Sequence, residues 1–125
     1  MSRRCLIVDD NAMYLSEARD LLGRQGMRVV GVASTHGEAM AIAASDRLDV
    51  ALVDVDLGAE SGLDVARALA TSDDPVPVIL ISAYAEKDLH ELLEDSPAVG
   101  FLAKSVLSRA AIDGLLDERH RSAAR

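Results

Sequence analysis

Five short runs of apolar residues, rich in β-branched side chains, recur along this chain with helix-patterned stretches between them. The runs are Cys5-Leu6-Ile7-Val8, Val29-Val30-Gly31-Val32-Ala33, Val50-Ala51-Leu52-Val53, Val76 to Ile81 interrupted at Pro77, and Val99-Gly100-Phe101-Leu102. They are near-continuous rather than alternating. Strands covered on both faces read this way, as in a parallel sheet flanked by helices.

The intervening stretches carry the other periodicity. Leu15, Ala18, Leu21 and Leu22 share one face of the first, which ends near Gly23 or Gly26. Thr35 and Glu38 form a capping box for the second, with Ala39, Ile42 and Ala43 inward. Leu63, Ala66, Leu69 and Ala70 mark the third, before Pro75; Leu89, Leu92 and Leu93 mark the fourth, before Pro97. Val106, Leu107, Ala110, Leu115 and Leu116 mark the fifth, with Ser105 as its expected N-cap. Alternation of this kind predicts an α/β fold: a five-stranded parallel sheet with helices on both faces and right-handed crossovers. The 125 residues suit one domain, 1–125, with a polar tail over 119–125.

Composition excludes several classes. A net charge of -8 opposes general nucleic-acid binding, which needs a Lys/Arg excess to neutralise phosphates. The one cysteine cannot form an internal disulfide, and no apolar run approaches the roughly 20 residues of a membrane helix. Ser2-Arg3-Arg4 has the look of a twin-arginine signal, but Asp9 and Asp10 cut short the apolar run that must follow. The expected location is cytoplasmic, with no membrane and no nucleic-acid partner.

Open α/β sheets bind ligands at the carboxyl ends of their strands. Strand one delivers Asp9 and Asp10; strand three delivers Asp54 and then Asp56. Strand four delivers Ser82, with Tyr84 two residues on, and strand five leads to Lys104. One Asp after one strand is usually a cap or turn former. Several together repel one another and need a counter-charge, and Lys104 alone is insufficient. The deficit points to a divalent cation, and an all-oxygen donor set suits Mg²⁺ better than Zn²⁺. His36, His90 and His120 lack metal-ligand spacing and read as surface residues. Cys5 reads as a small core residue, and Met13, Met27 and Met40 as core or rim fillers. No G-x-x-x-x-G-K-[ST], G-x-G-x-x-G or G-x-S-x-G motif is present.

The acidic pair Asp9-Asp10, Asp54 lying 44 residues beyond Asp10, Ser82, and the Gly100-Phe101-Leu102-Ala103-Lys104 run form an ordered set. Together with Asp54-Val55-Asp56-Leu57 and Ser61-Gly62-Leu63, this set resembles the receiver domain of two-component response regulators over residues 3 to about 118. The resemblance implies a flavodoxin-like (βα)5 fold with strand order 2-1-3-4-5. It implies Asp54 as phosphoacceptor, taking a phosphoryl group from a sensor histidine kinase or histidine phosphotransfer protein. Mg²⁺ would be held by Asp10, Asp54 and the Asp56 backbone carbonyl, with Asp9 acting through water. Lys104 and Ser82 would bind phosphoryl oxygens. Ser82 and Phe101 would form the switch that re-biases the fourth helix, fifth strand and fifth helix toward a downstream protein target. Asp56 and Tyr84 would tune phosphate lifetime. Such a chain is no conventional enzyme; it catalyses its own phosphorylation. The expected type is a stand-alone receiver without an output domain.

Two positions depart from the family pattern. Ser105 stands where a Pro, often with a cis bond, commonly follows the Lys, which leaves the Lys104–Ser105 bond open between cis and trans. Gly58 stands where Pro is common, which leaves that loop less constrained. Two other readings compete: a phosphorylation-independent interaction module on the same scaffold, and a small Mg²⁺-dependent phosphohydrolase. The second rests on Asp54-Val55-Asp56 as the D-x-D nucleophile of haloacid dehalogenase-like enzymes, though that family places it after the first strand.

Overall fold

The computed structural model describes residues 3–83 and 96–123, with side chains described as far as Glu118. Its order is β1 (Arg4–Val8), α1 (Ala12–Arg24), β2 (Arg28–Ala33), α2 (His36–Ser45), β3 (Val50–Asp54), β4 (Asp56–Leu57), β5 (Glu60–Ser61), α3 (Gly62–Ala70), β6 (Val78–Ser82), β7 (Gly100–Ala103) and α4 (Arg109–Ala123). A 3₁₀ turn over Lys104–Val106 precedes α4. The fourth helical stretch of the sequence lies outside the described residues, as do Tyr84 and His90.

The main sheet runs β2-β1-β3-β6-β7, and every pairing in it is parallel. Counting its five strands alone, this is the 2-1-3-4-5 order. Successive residues of each strand serve opposite faces. Leu6, Val8, Ala51, Val53, Val78 and Leu80 point to one core, with Ala39 of α2 and Val65, Ala66 and Leu69 of α3. Cys5, Ile7, Val50, Leu52, Ile79 and Ile81 point to the other, with Leu15, Ala18 and Leu22 of α1 and Ile112 and Leu116 of α4. The continuous apolar runs follow directly: a strand in contact with two cores cannot place polar residues on either face. Each fully buried Leu or Ile contributes roughly 1.5–3 kcal/mol relative to exposure.

Local chemistry sets most helix ends. Asn11 caps α1 by accepting from the Tyr14 N–H, and Gly26, at φ 92°, turns the chain after it. Thr35 Oγ1 accepts from the Glu38 N–H as expected, and the Glu38 carboxylate accepts from the Ser34 N–H and hydroxyl. Three expectations are corrected. Ser108, not Ser105, caps the last helix: its Oγ accepts from the Ala111 N–H, because the 3₁₀ turn carries the chain three residues further first. Val106 is therefore exposed instead of inward, and Met13 is exposed too, at 72%. Around Gly58, residues 56–61 form a hairpin in which Asp56 pairs with Ser61 and Leu57 with Glu60. Gly58 makes this possible with φ 74° at the first central position, as a type II′ turn has. No peptide bond among the described residues is cis, so Lys104–Ser105 is trans. No described helix is long and apolar enough to cross a membrane.

Candidate functional site

The parallel sheet puts the carboxyl ends of β1, β3, β6 and β7 on one rim. Asp54 and Ser82 are the last residues of β3 and β6, and Asp9 and Lys104 are the first beyond β1 and β7. Asp9, Asp54 and Ser82 are the buried polar side chains among the described residues. A cleft of about 250 Å³ opens here, lined by Asp10, Asp54, Asp56, Ser82, Ala83 and Lys104.

Lys104 is the electrostatic hub. Its Nζ lies 2.6 Å from Asp9 Oδ2 and 3.1 Å from Asp54 Oδ2. Burial alone would lower its pKa; the two carboxylates outweigh that and hold it above the ordinary lysine value. Asp54 is pushed above the usual carboxylate range, first by burial and then by the Asp9 charge. The Asp56 N–H, at 3.1 Å from Asp54 Oδ1, and Lys104 pull it back in part. Asp9 Oδ1 accepts from the Asn11 N–H, which ties the first carboxylate to the start of α1.

Backbone packing fixes the acceptor loop. A Cβ on Gly62 would sit 1.7 Å from the Asp54 carbonyl oxygen, so only glycine lets α3 begin against the end of β3. Ser61 caps α3 through the Leu63 N–H. Asp56 Oδ1 accepts from the Gly58 N–H, and a Cβ on Gly58 would meet Asp10 Oδ2 at 3.1 Å. Glu60, in the second arm of the hairpin, accepts from the His36 N–H at the start of α2.

Carboxylate oxygens of Asp9, Asp10 and Asp54 all lie within 4.8 Å of one another. Three negative charges face one ammonium there. Adding one divalent cation balances the set, and hard oxygens with Asp10 exposed at the mouth match what Mg²⁺ needs. The residues present therefore fit that ion.

A scan against protein-family models matches the response regulator receiver domain over residues 5–115. This chain belongs to that family. Over 102 residues it is 30% identical to the transcriptional regulatory protein PdtaR of Mycobacterium tuberculosis, which covers 82% of this chain and 49% of that protein. It is 29% identical over 108 residues to the polar-differentiation response regulator DivK of Brucella anthropi, covering 85% and 87%. The chain spans about half the length of the first of these relatives and most of the second. A receiver domain of a modulated diguanylate cyclase from Desulfovibrio desulfuricans superimposes with a TM-score of 0.78 at 28% identity, over 94% of this chain and 93% of that one. A CheY-like receiver from Methanospirillum hungatei shares the fold, with a TM-score of 0.79 at 24% identity over 98% and 99%.

This receiver brings together the sequence-derived set Asp9, Asp10, Asp54, Asp56, Ser82 and Lys104. Phe101 of β7 stands apart from the cleft lining, half-buried on the α2–α3 side of the sheet. One participant was not evident from sequence. The Tyr14 ring centroid lies 4.6 Å from Lys104 Nζ. Its phenol is raised above the usual tyrosine range by burial, then by Asp9, Asp54 and Glu17, and so stays neutral. The available signal was an aromatic residue, one of three in the chain, four positions after the acidic pair.

Proposed function

We propose that this receiver is a phosphoacceptor switch and that Asp54 takes the phosphoryl group. The observation that carries this reading is the Asp54 carboxylate, only 6% exposed and above its usual pKa, placed between an ammonium and two further carboxylates at an open cleft. A carboxylate held beside a cation at the floor of an open cleft is placed to act as a covalent nucleophile.

In the reaction an Asp54 carboxylate oxygen forms a bond to phosphorus as the donor's P–N bond breaks. The departing imidazole of a sensor histidine kinase or histidine phosphotransfer protein takes a proton from solvent. The product is an aspartyl phosphate. Lys104 exchanges its contact with Asp54 Oδ2 for a phosphoryl oxygen, acting as a point charge. Ser82, nearly fully buried at the end of β6, presents its hydroxyl to another oxygen. Asp10, Asp54 and the Asp56 carbonyl would hold Mg²⁺, with Asp9 acting through water. Bound there, Mg²⁺ supplies positive charge that shields the incoming phosphoryl oxygens. The Asp56 side chain and Tyr84 tune the lifetime of the product.

Readout follows the same parts. Movement of Ser82 toward the new anion frees space for Phe101 and re-biases the face of the fourth helical stretch, β7 and α4 toward a downstream protein target. Exposed Met13 adjoins Tyr14 and exposed Val106 lies two residues after Lys104, and a protein donor meets these two as apolar contacts. The receiver acts in the cytoplasm and turns over only its own phosphate.

Incubation with acetyl phosphate and Mg²⁺ tests this by intact mass. Uptake of one phosphoryl group that disappears in Asp54→Asn is expected. Uptake that persists in that variant overturns the assignment, and no uptake at any pH favours a phosphorylation-independent module. Catalytic release of phosphate from excess substrate favours a phosphohydrolase.

A further inference from the structure

We propose that Tyr14 is a positioning residue for Lys104 and thereby sets the rate of phosphoryl uptake; the inference rests on the phosphoacceptor reading above. Lys104 carries three N–H donors and no acceptor. In the structure its Nζ faces Asp9 Oδ2 at 2.6 Å and Asp54 Oδ2 at 3.1 Å, and a third side is covered by the Tyr14 ring at 4.6 Å. The Lys104 side chain is left only 18% exposed. Tyr14 Oη also lies 3.5 Å from the Lys104 carbonyl oxygen, so the aromatic side chain reaches both ends of this lysine.

The chemistry of the contact suits the exchange that Lys104 must make. A cation is attracted to the whole face of an aromatic ring, and the attraction uses no particular N–H. The ammonium can therefore leave Asp54 Oδ2 and reach a phosphoryl oxygen without giving up its hold on the ring. A water or a hydrogen-bonding side chain in the same place would occupy one donor and draw the amine outward. The half-buried Tyr14 also limits the solvent that competes for the ammonium. Its own placement is set by the start of α1: Asn11 Oδ1 accepts from the Tyr14 N–H, and Asp9 Oδ1 from the Asn11 N–H. The segment that carries the first carboxylates thus also aims the ring at the lysine.

The experiment measures the initial rate of phosphorylation by acetyl phosphate in Mg²⁺, by intact mass, for wild type, Tyr14→Phe, Tyr14→Leu, Lys104→Ala and the Tyr14→Leu/Lys104→Ala double variant. Tyr14→Leu is expected to slow uptake roughly three- to tenfold, the scale of a partly desolvated cation–π contact. Tyr14→Phe keeps the ring and restores the rate. In the Lys104→Ala background Tyr14→Leu is expected to add less than about a twofold change, since a residue acting through Lys104 has nothing left to position. A dispersed amide NMR spectrum establishes that each variant is folded. The Lys104 side-chain protons should show an upfield ring-current shift in wild type and Tyr14→Phe that is lost in Tyr14→Leu.

A wild-type rate in folded Tyr14→Leu overturns the proposal. So does an equal loss with and without Lys104, a Tyr14→Phe variant as slow as Tyr14→Leu, or absence of the ring-current shift. Failure of the phosphoacceptor reading looks different: wild type itself takes up no phosphoryl group, or Asp54→Asn labels normally.

Discussion

Replacing Lys104 with Met in metal-free protein removes a charge while keeping most of the volume, and it leaves a buried anionic pair behind. Lys104 Nζ touches Asp9, whose side chain is 0% exposed, and Asp54, at 9%, while its own side chain is 18% exposed. Breaking a buried ion pair from one side costs about 3–5 kcal/mol, because the partner stays desolvated and uncompensated. The cleft admits water on the Asp10 side, so the lower end of that range applies, about 3 kcal/mol. In a domain of this size each kcal/mol moves the melting temperature by roughly 3–4 °C, so Lys104→Met should melt about 10 °C below wild type at pH 7 in EDTA, followed by circular dichroism.

The pH dependence carries its own sign. Asp54 already sits above the ordinary carboxylate range, and removing Lys104 takes away one of the groups that pull it down. The variant's native state then binds protons that its unfolded chain does not yet hold. Stability changes with pH as the unfolded minus the native proton count, so the variant gains stability as pH falls toward the unfolded carboxylate value of about 4. The Lys104 pKa is raised, so its favourable contribution is fully present at neutral pH and is lost only as pH rises through its folded value. The gap between the two proteins should therefore be wide near neutrality and narrow as pH falls through the range in which Asp54 takes up its proton. A melting temperature within about 1 °C of wild type at pH 7, or a gap that does not respond to acid, would refute the ion-pair argument.

Four shorter predictions follow from the same geometry. Gly62→Ala drives a methyl into the Asp54 carbonyl and should cost at least about 3 kcal/mol in urea unfolding. Gly58→Pro restores a common family residue, yet it meets a φ of 74° and an N–H that donates to Asp56; a loss of about 2–3 kcal/mol and slower labelling are expected. Mg²⁺ at ten times its dissociation constant should stabilise the wild type by about 1.4 kcal/mol in thermal melts, and much less after Asp10→Asn. Met13→Asp should slow transfer from a phosphohistidine protein severalfold while leaving acetyl phosphate labelling near wild type; equal effects on both donors would count against docking there.

Sequence alone was enough for the parts of this receiver that depend on neighbours along the chain. A strand between two cores must be apolar at every position, and that made five strands, their parallel pairing and the two-sided helical cover legible. Because a strand's end is a local property and ligands collect at carboxyl ends, Asp9, Asp54, Ser82 and Lys104 could be placed on one rim before any distance was known. Tertiary structure decided the rest. The hairpin over 56–61 depends on how Gly58 turns against Asp10, and the shift of the last cap from Ser105 to Ser108 depends on a 3₁₀ turn held beside β7. Tyr14 and Lys104 are 90 residues apart, so no periodicity relates them. They meet because β1 and β7 end on the same rim, and the balance between burial and charge that tunes Asp54 and Lys104 exists only at the ångström separations this meeting creates.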